Sequence, residues 1–375
     1  MIQKVSFRNF KAYRSLDLDL EPFTVLVGPN ASGKTTLLQG LHSAVRQRFP
    51  ASPDGQTALK SFGATGSLEW GFSGVWNGTQ GHLRMTLMPG IDEFDMTGKW
   101  AGNSFSLRSD GSREGLAAER RFDTSFNAIR AALKSTAVLR FEAQALSAAS
   151  YSEALVPEVR ESGSGLASVL AYLKLSQDEV FDDIEQALKQ IVPSVRRIRI
   201  ERAAVERTAL RTLSLDEQRH QISEQQTLWG NRIILDMRGA KGVAADSIGE
   251  GTLMVLGLLT VLMGPNKPRL VLLDDIELNL HPVAQGLLIE TLRKLQARDP
   301  ELQIVATSHS PFILNYLKPE EVRMTFLSEN GFARCEKLTA HPDFERWKDL
   351  MSPGEFWSTV GESWVAKAGA TESNE

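Results

Sequence analysis

Gly28-Pro29-Asn30-Ala31-Ser32-Gly33-Lys34-Thr35 is the stretch on which the reading of the whole chain turns. It fits the pattern G-x-x-x-x-G-K-[ST], and both of its flanks suit that pattern. Ahead of it, Phe23-Thr24-Val25-Leu26-Val27 is a short apolar, β-branched run that reads as a buried strand. Behind it, Leu37, Leu41, Ala44 and Val45 recur at helical spacing. Strand, glycine-rich loop and helix is the arrangement that phosphate binding needs. The glycines let backbone N–H groups turn inward around phosphate oxygens, and the helix N-terminus adds partial positive charge. Lys34 then reaches the β- and γ-phosphates of a nucleotide, and the Thr35 hydroxyl, with Thr36 beside it, sits at Mg²⁺. A strand-to-helix turn with a chance lysine accounts for the glycines but not for both flanks.

The chain has 375 residues, enough for a large core and one to three domains. Hydrophobic residues make up 42% and charged residues 23%, as in ordinary globular proteins. The net charge of −4 announces no nucleic-acid protein, although a local basic patch is compatible with it. One cysteine, Cys335, allows no internal disulfide, which suits a reducing compartment. The N-terminus lacks the apolar stretch of a signal peptide. The longest nearly apolar run, 252–264, falls short of the roughly 18–20 residues that cross a bilayer. A cytoplasmic protein with no membrane partner is expected.

Along the chain, 1–27 alternates as antiparallel strands, and Pro50 to Gly55 is a break. Residues 65–108 read as antiparallel hairpins in which Trp70, Trp76 and Trp100 are core or edge packing rather than a stacking surface. Residues 115–134 read as helix and 137–141 as a buried strand. From 143 to 192 the pattern is helical, with Leu166, Val169, Leu170 and Leu173 on one face and Phe181, Ile184, Leu188 and Ile191 on another. In 195–202, Arg197 and Arg199 share one face of a strand and Ile198 and Ile200 the other. A solvated face is the simpler reading, a nucleic-acid surface the functional one. Residues 204–240 continue as polar strands and loops. A hairpin is expected around Asn330-Gly331, with short amphipathic helices near 342–350 and 353–365.

Three further stretches belong with the phosphate loop. Leu270-Val271-Leu272-Leu273-Asp274-Asp275-Ile276-Glu277 is an apolar run ending in acids, where a parallel strand would end. Open α/β sheets bind ligands at those ends, and Asp274 there can join a Mg²⁺ shell. Gln303-Ile304-Val305-Ala306-Thr307 runs into Ser308-His309-Ser310-Pro311, which places His309 to hydrogen-bond a γ-phosphate. Ser247-Ile248-Gly249-Glu250-Gly251 opens an apolar helix; Ser247 to Glu250 fits a capping box, and such a glycine-rich helix start is also an anion site.

In this order the parts resemble the ABC-type ATPase heads of the SMC/RecF/OLD class. They are most similar to compact bacterial AAA-family ATPases of phage-defence loci, with Val5 to Tyr13 similar to that class's first strand. The specific motifs lie in 1–45 and 245–315. The resemblance implies an α/β P-loop NTPase. Its ABC-type head has a mixed, largely parallel core sheet, an N-terminal antiparallel β subdomain and a helical insertion. Four segments are expected: 1–142 with the phosphate loop and hairpins, 143–194 as the helical insertion, 195–340 with the remaining motifs, and 341–375 as a helical extension. The resemblance also implies ATP and Mg²⁺ as ligands. Gly28, Pro29, Asn30, Ala31, Ser32, Gly33, Lys34, Thr35 and Thr36 would cradle phosphate. Thr35 and Asp274 would hold the metal and His309 would be the switch histidine. Ser247 and Gly249 would act on the ATP of a second copy. Arg8 and Asn9 would lie near adenine or ribose, and Gln144 would be the glutamine at Mg²⁺ and the attacking water.

Two departures matter. The class usually has Glu after the metal-shell Asp; here Asp275 stands there, so the catalytic base is Asp275 or Glu277. The signature can also be aligned on Gly251-Thr252, which moves Gly249 to the serine position. No coiled coil joins the halves, and no nuclease domain is expected after His309. The resulting reading is an ATP-hydrolysing ATPase that dimerises, or forms higher oligomers, around ATP and regulates a separately encoded effector in antiphage defence. A RecF-like ATPase that binds DNA and a nucleotide-gated scaffold with negligible turnover are the alternatives.

Overall fold

The alternation at the N-terminus folds as a hairpin. Strands β1 (Ile2–Phe10) and β2 (Tyr13–Asp19) pair antiparallel, burying Ile2, Val5, Phe7, Leu16 and Leu18 and exposing Gln3, Lys4, Ser15 and Asp17. The computed structural model describes residues 1–46, 58–87, 94–109, 124–133, 135–215 and 218–360. Strand β3 (Phe23–Val27) is buried at all five positions, as a β-branched apolar run should be, and runs into the glycine-rich loop and helix α1 (Lys34–Arg46). The break at 50–55 lies outside the described residues.

Strands β4 (Leu68–Trp76), β5 (Thr79–Leu87), β6 (Phe94–Trp100) and β7 (Asn103–Ser109) form the expected hairpins. Two of their turns, Asn77-Gly78 and Ala101-Gly102, have positive φ at both residues, the two-residue geometry that matches strand twist. Trp70 and Trp76 are buried, and Trp76 stacks on Trp100 at 6.0 Å, so these rings are core. Helix α2 (Thr124–Leu133) and strand β8 (Thr136–Leu139) follow; the expected helical residues 115–123 lie outside the described ones.

The stretch 143–192 is not helical throughout. Helix α3 (Ala143–Ser147) stops early, and α4 (Leu166–Ser176) and α5 (Asp178–Ile191) follow an irregular segment. Gly163 and Gly165 hold φ near +95° and +90° there, and a Cβ on Gly163 would lie 2.5 Å from Leu146, so the chain must turn instead of coil. The two apolar faces of α4 and α5 are buried as their spacing requires. Next come β9 (Val195–Leu215) and β10 (Gln218–Met237), a continuous antiparallel ribbon rather than short strands and loops, with β11 (Ala240–Ala244) at its base. One arginine of its basic run, Arg199, pairs with Asp236 at 3.2 Å, while the run's Glu201 pairs with Arg232 of β10 at 2.9 Å.

Helix α6 (Glu250–Met263) corrects one expectation. Ser247 does not cap it. A short 3₁₀ turn takes up Ala245–Ser247, Gly249 becomes the N-cap without a side-chain bond, and the Ser247 hydroxyl donates to Asp246 instead. The capping box fails because the extra turn shifts the helix start by two residues. The Glu250 carboxylate accepts from Asn279 Nδ2 at 3.1 Å.

The remaining elements are β12 (Leu270–Leu273), α7 (Pro282–Arg298), β13 (Gln303–Ser308), α8 (Pro311–Leu314), β14 (Val322–Leu327), β15 (Ala333–Lys337), α9 (Phe344–Trp347) and α10 (Pro353–Val360). The hairpin around Asn330-Gly331 is β14–β15, with Cys335 buried and its thiol pushed up to about 12 by that burial. Three sheets result: an antiparallel sheet in the order β2-β1-β4-β5-β6-β7, the ribbon β11-β10-β9, and the core sheet β15-β14-β3-β13-β12-β8. In the core sheet β3 is parallel to both β13 and β14, and β12 is parallel to β13.

The chain divides into two units. One comprises Met1–Val138, Pro268–Glu277 and the chain from Leu292 onward, and holds the antiparallel and core sheets. The other comprises Leu139–Lys267 and Leu278–Thr291, and holds α3 to α6 and the ribbon. Among the described residues no helix is long and apolar enough to cross a membrane. Within the first unit, Gly40 of α1 sits against β1; a Cβ there would lie 2.5 Å from the Phe7 ring. Gly40→Ala should therefore cost about 1–3 kcal/mol by overpacking, read as a lower urea midpoint with an unchanged slope.

Candidate functional site

The glycine-rich loop is fixed by neighbours that leave no room for side chains. A Cβ on Gly28 would lie 2.2 Å from the Thr325 carbonyl oxygen. One on Gly33, whose φ is +98°, would lie 2.7 Å from Ala333 Cβ and 3.0 Å from the Tyr13 hydroxyl. Tyr13 donates from that hydroxyl to the Gly33 carbonyl at 3.2 Å. The Ser32 hydroxyl meets Thr325 Oγ1 at 2.5 Å, and Thr325 in turn donates to the Val27 carbonyl. Pro29, Asn30 and Ala31 form the exposed rim. Lys34 is buried, and its ammonium donates to the Gly28 and Pro29 carbonyls, each at 2.8 Å. The charge thus lies folded across the mouth of the loop that a phosphate would enter. Thr35 and Thr36 follow in the first turn of α1, half-buried.

The acid run meets this loop through sheet order. The β3–β13 register sets Val27 beside Ser308, and the β13–β12 register sets Ala306 beside Leu273. All three strands therefore end on one edge, where Thr35 Oγ1 lies 3.3 and 3.4 Å from the two carboxylate oxygens of Asp274. A hydroxyl and a carboxylate are hard oxygen donors, the set that suits Mg²⁺. Thr307 clamps the turn beyond β12. Its hydroxyl donates to Asp274 Oδ1 at 2.7 Å and accepts the Asp275 N–H at 2.8 Å, and its carbonyl accepts the Ile276 N–H at 2.9 Å.

That turn is strained. Asp275, Leu278 and Asn279 all have φ between +48° and +55°. For a leucine this is an outlier conformation, and such strain gathers at functional sites. Asp275 is exposed, and its Oδ1 lies 3.9 Å from His309 Nε2. Its pKa is raised, first by partial burial and then by the carboxylates of Glu277 and Asp274, against the opposing pull of His309 and Lys34. Glu277 turns the other way: its Oε1 accepts the backbone N–H of His309 at 2.9 Å. The first unit thus brings together the loop, Lys34, Thr35, Asp274, Asp275, Glu277 and His309.

The other predicted residues are placed differently. Arg8 donates to the Phe7 and Leu16 carbonyls and pairs with Asp17, and Asn9, at φ +55°, donates to the Ser67 carbonyl. Both are engaged within the antiparallel sheet, so a contact to base or ribose would have to exchange these bonds. Gln144, Ser247 and Gly249 belong to the second unit, and all three are exposed. A Cβ on Gly249 would meet nothing, whereas one on Gly251 would press within 2.9 Å of the Leu278 carbonyl. Local packing thus explains Gly251 and leaves Gly249 unexplained. Sequence reading gave no role to Thr307, Thr325 or Tyr13. Thr307 was legible only as the residue before Ser308-His309; the other two carry no local signal.

The sequence model of the family described as "AAA domain, putative AbiEii toxin, Type IV TA system" matches residues 23–315. The chain belongs to this family. It is an ABC-type ATPase of the SMC/RecF/OLD class with a P-loop NTPase fold. A stretch of 68 residues is 41% identical to the DNA replication and repair protein RecF of Roseiflexus castenholzii, covering 18% of this chain and 17% of that protein. Another of 51 residues is 35% identical to the OLD nuclease of Thermus scotoductus, covering 14% of this chain and 10% of that one. The chain thus matches less than a fifth of the length of either curated relative. Among solved structures it is similar to an SMC head bound to the C-winged helix domain of ScpA, at 11% identity with a TM-score of 0.55. That likeness covers 90% of this chain and 97% of the SMC head, and it bears on the fold.

Thr307 is fully buried, and its hydroxyl is what joins the acid turn to β13. Thr307→Val should destabilise the protein by about 1–3 kcal/mol in urea unfolding, and Thr307→Ser by less than half of that.

Proposed function

We propose that this member of the AAA-domain family binds and hydrolyses ATP with Mg²⁺ and uses that cycle to pair two copies of itself. The convergence of Lys34, Thr35, Asp274, Asp275 and His309 at the ends of three neighbouring strands carries the reading. The glycine-rich loop and the start of α1 would hold the phosphates, and Lys34 would leave its two carbonyls for phosphate oxygens. Thr35 and Asp274 would hold Mg²⁺, which supplies charge neutralisation on the phosphates. Asp275, beside His309, would position and deprotonate the attacking water. Arg8 and Asn9 would approach the base or ribose at the margin of this site. Because most of phosphoryl transfer is positioning and charge stabilisation, the shorter Asp275 in place of the usual Glu is compatible with turnover at a reduced rate.

The ATP-sandwich dimer rests on Gly249. It is exposed, has open space where a side chain would be, and sits beside Ser247 at a helix start. A glycine that its own chain does not require is the expected result where another molecule's phosphate must approach. The cellular role we propose is control of a separately encoded effector in antiphage defence, in the cytoplasm. The toxin–antitoxin wording of the family description supports a partnered system of this kind. A second reading, a role on DNA of the replication and repair kind named for the RecF relative, is favoured by that 41% identical stretch. Arg197 and Arg199 on β9 would be its footprint, Arg199 giving up its pairing with Asp236.

Phosphate release from ATP should be abolished in Lys34→Ala and fall by roughly 10²–10⁴-fold in Asp275→Asn. Wild-type phosphate release no faster than that of Lys34→Ala would instead leave a nucleotide-gated scaffold. Gly249→Asp should melt at the wild-type temperature yet no longer dimerise with ATP in sedimentation. If it dimerises normally, the sandwich is wrong.

A further inference from the structure

Glu277 is committed to a contact between the two strand ends. Its Oε1 accepts the His309 backbone N–H at 2.9 Å. Its Oε2 is buried with no hydrogen-bond partner among the described residues. An unpaired buried carboxylate oxygen is costly, so stability alone gives no reason to hold it there. The same histidine reaches the acid turn a second time through its imidazole, 3.9 Å from Asp275 Oδ1. Two residues earlier, Thr307 binds that turn by both hydroxyl and carbonyl. The two strand ends therefore cannot move independently: whatever shifts His309 pulls on Glu277, and whatever shifts Glu277 moves the turn that carries Asp275.

We infer that Glu277 is a positioning residue that ties the γ-phosphate contact at His309 to the placement of Asp275, and that Asp275 alone of the two acids touches the attacking water. The inference rests on the ATPase reading above and goes beyond it, because it makes the state of the nucleotide's terminal phosphate mechanically visible to the acid turn. With ADP, His309 has no γ-phosphate to hold, and the tie through Glu277 is what lets the turn relax. With ATP the tie holds His309 and Asp275 in one arrangement.

The test compares Glu277→Ala with Glu277→Gln, whose amide oxygen keeps an acceptor for the His309 N–H. Two quantities are read: kcat for ATP with KM alongside, and the ratio of ATP to ADP affinity by titration calorimetry. Losing a charged hydrogen-bond acceptor should lower kcat in Glu277→Ala by roughly 10–100-fold and the affinity ratio by about tenfold. Glu277→Gln should recover at least about tenfold of the lost kcat and return the ratio to within about threefold of wild type. A base cannot be replaced by an amide. Equal, near-complete loss of kcat in both variants, with an unchanged affinity ratio, would show that Glu277 is the base and overturn the proposal. A lowered melting temperature with neither quantity changed would overturn it too. If wild type shows no turnover, the ATPase reading fails, and the affinity ratio still decides this one: a drop in Ala restored by Gln supports it, no drop defeats it.

Discussion

The site exists because three parallel strands keep register. β12, β13 and β3 set Leu273 beside Ala306 and Ser308 beside Val27, so the loops that leave them start at the same height. A slip of one residue in either pairing would turn every side chain to the opposite face of the sheet. Thr307 would then point away from Asp274, and the phosphate loop would lose its acid. The apolar content of the strands protects against this, since all of their residues are buried and a slip would leave the capping polar groups inside.

On that frame, small groups do the fine placement. Gly28 and Gly33 let the loop pass within contact of Thr325, Ala333 and Tyr13, and the Ser32–Thr325 hydroxyl pair closes it from below. At the other end the Thr307 hydroxyl serves both a side chain and a backbone N–H, which is how a turn with three left-handed residues is held. Partial burial, and then the acids gathered there, raise the pKa of Asp275, and His309 and Lys34 oppose them. Like charges of this kind cost stability when no cation sits among them, which is the usual compromise of a site made to bind one.

The second unit follows a different logic. Its helices bury long apolar faces, while the ribbon β9–β10 keeps its outer reaches as a two-stranded element with partly exposed Trp229 stacked under Arg202. Two-stranded ribbons gain little stability of their own. Its base is secured instead by Ile198, Ile233, Ile234 and Leu235, which are buried, and by the Arg199–Asp236 pair.

What the sequence determined by itself was everything carried by local period and spacing. The phosphate loop, its flanking strand and helix, the acid-ended strand and the strand before His309 are each written in contiguous residues, and all appear where their patterns put them. The apolar faces of α4 and α5 and the Trp-bearing hairpins were equally plain, because one side of each element must leave water. What only the tertiary structure decided was which polar groups meet. Ser247 loses its capping role to a 3₁₀ turn, Glu277 turns to a backbone N–H rather than standing free, and Thr307, Thr325 and Tyr13 become the supports of the loop and the acids. A hydrogen bond is short and directional, and its partners here lie 32, 33, 298 and 20 residues apart, so no local pattern encodes them.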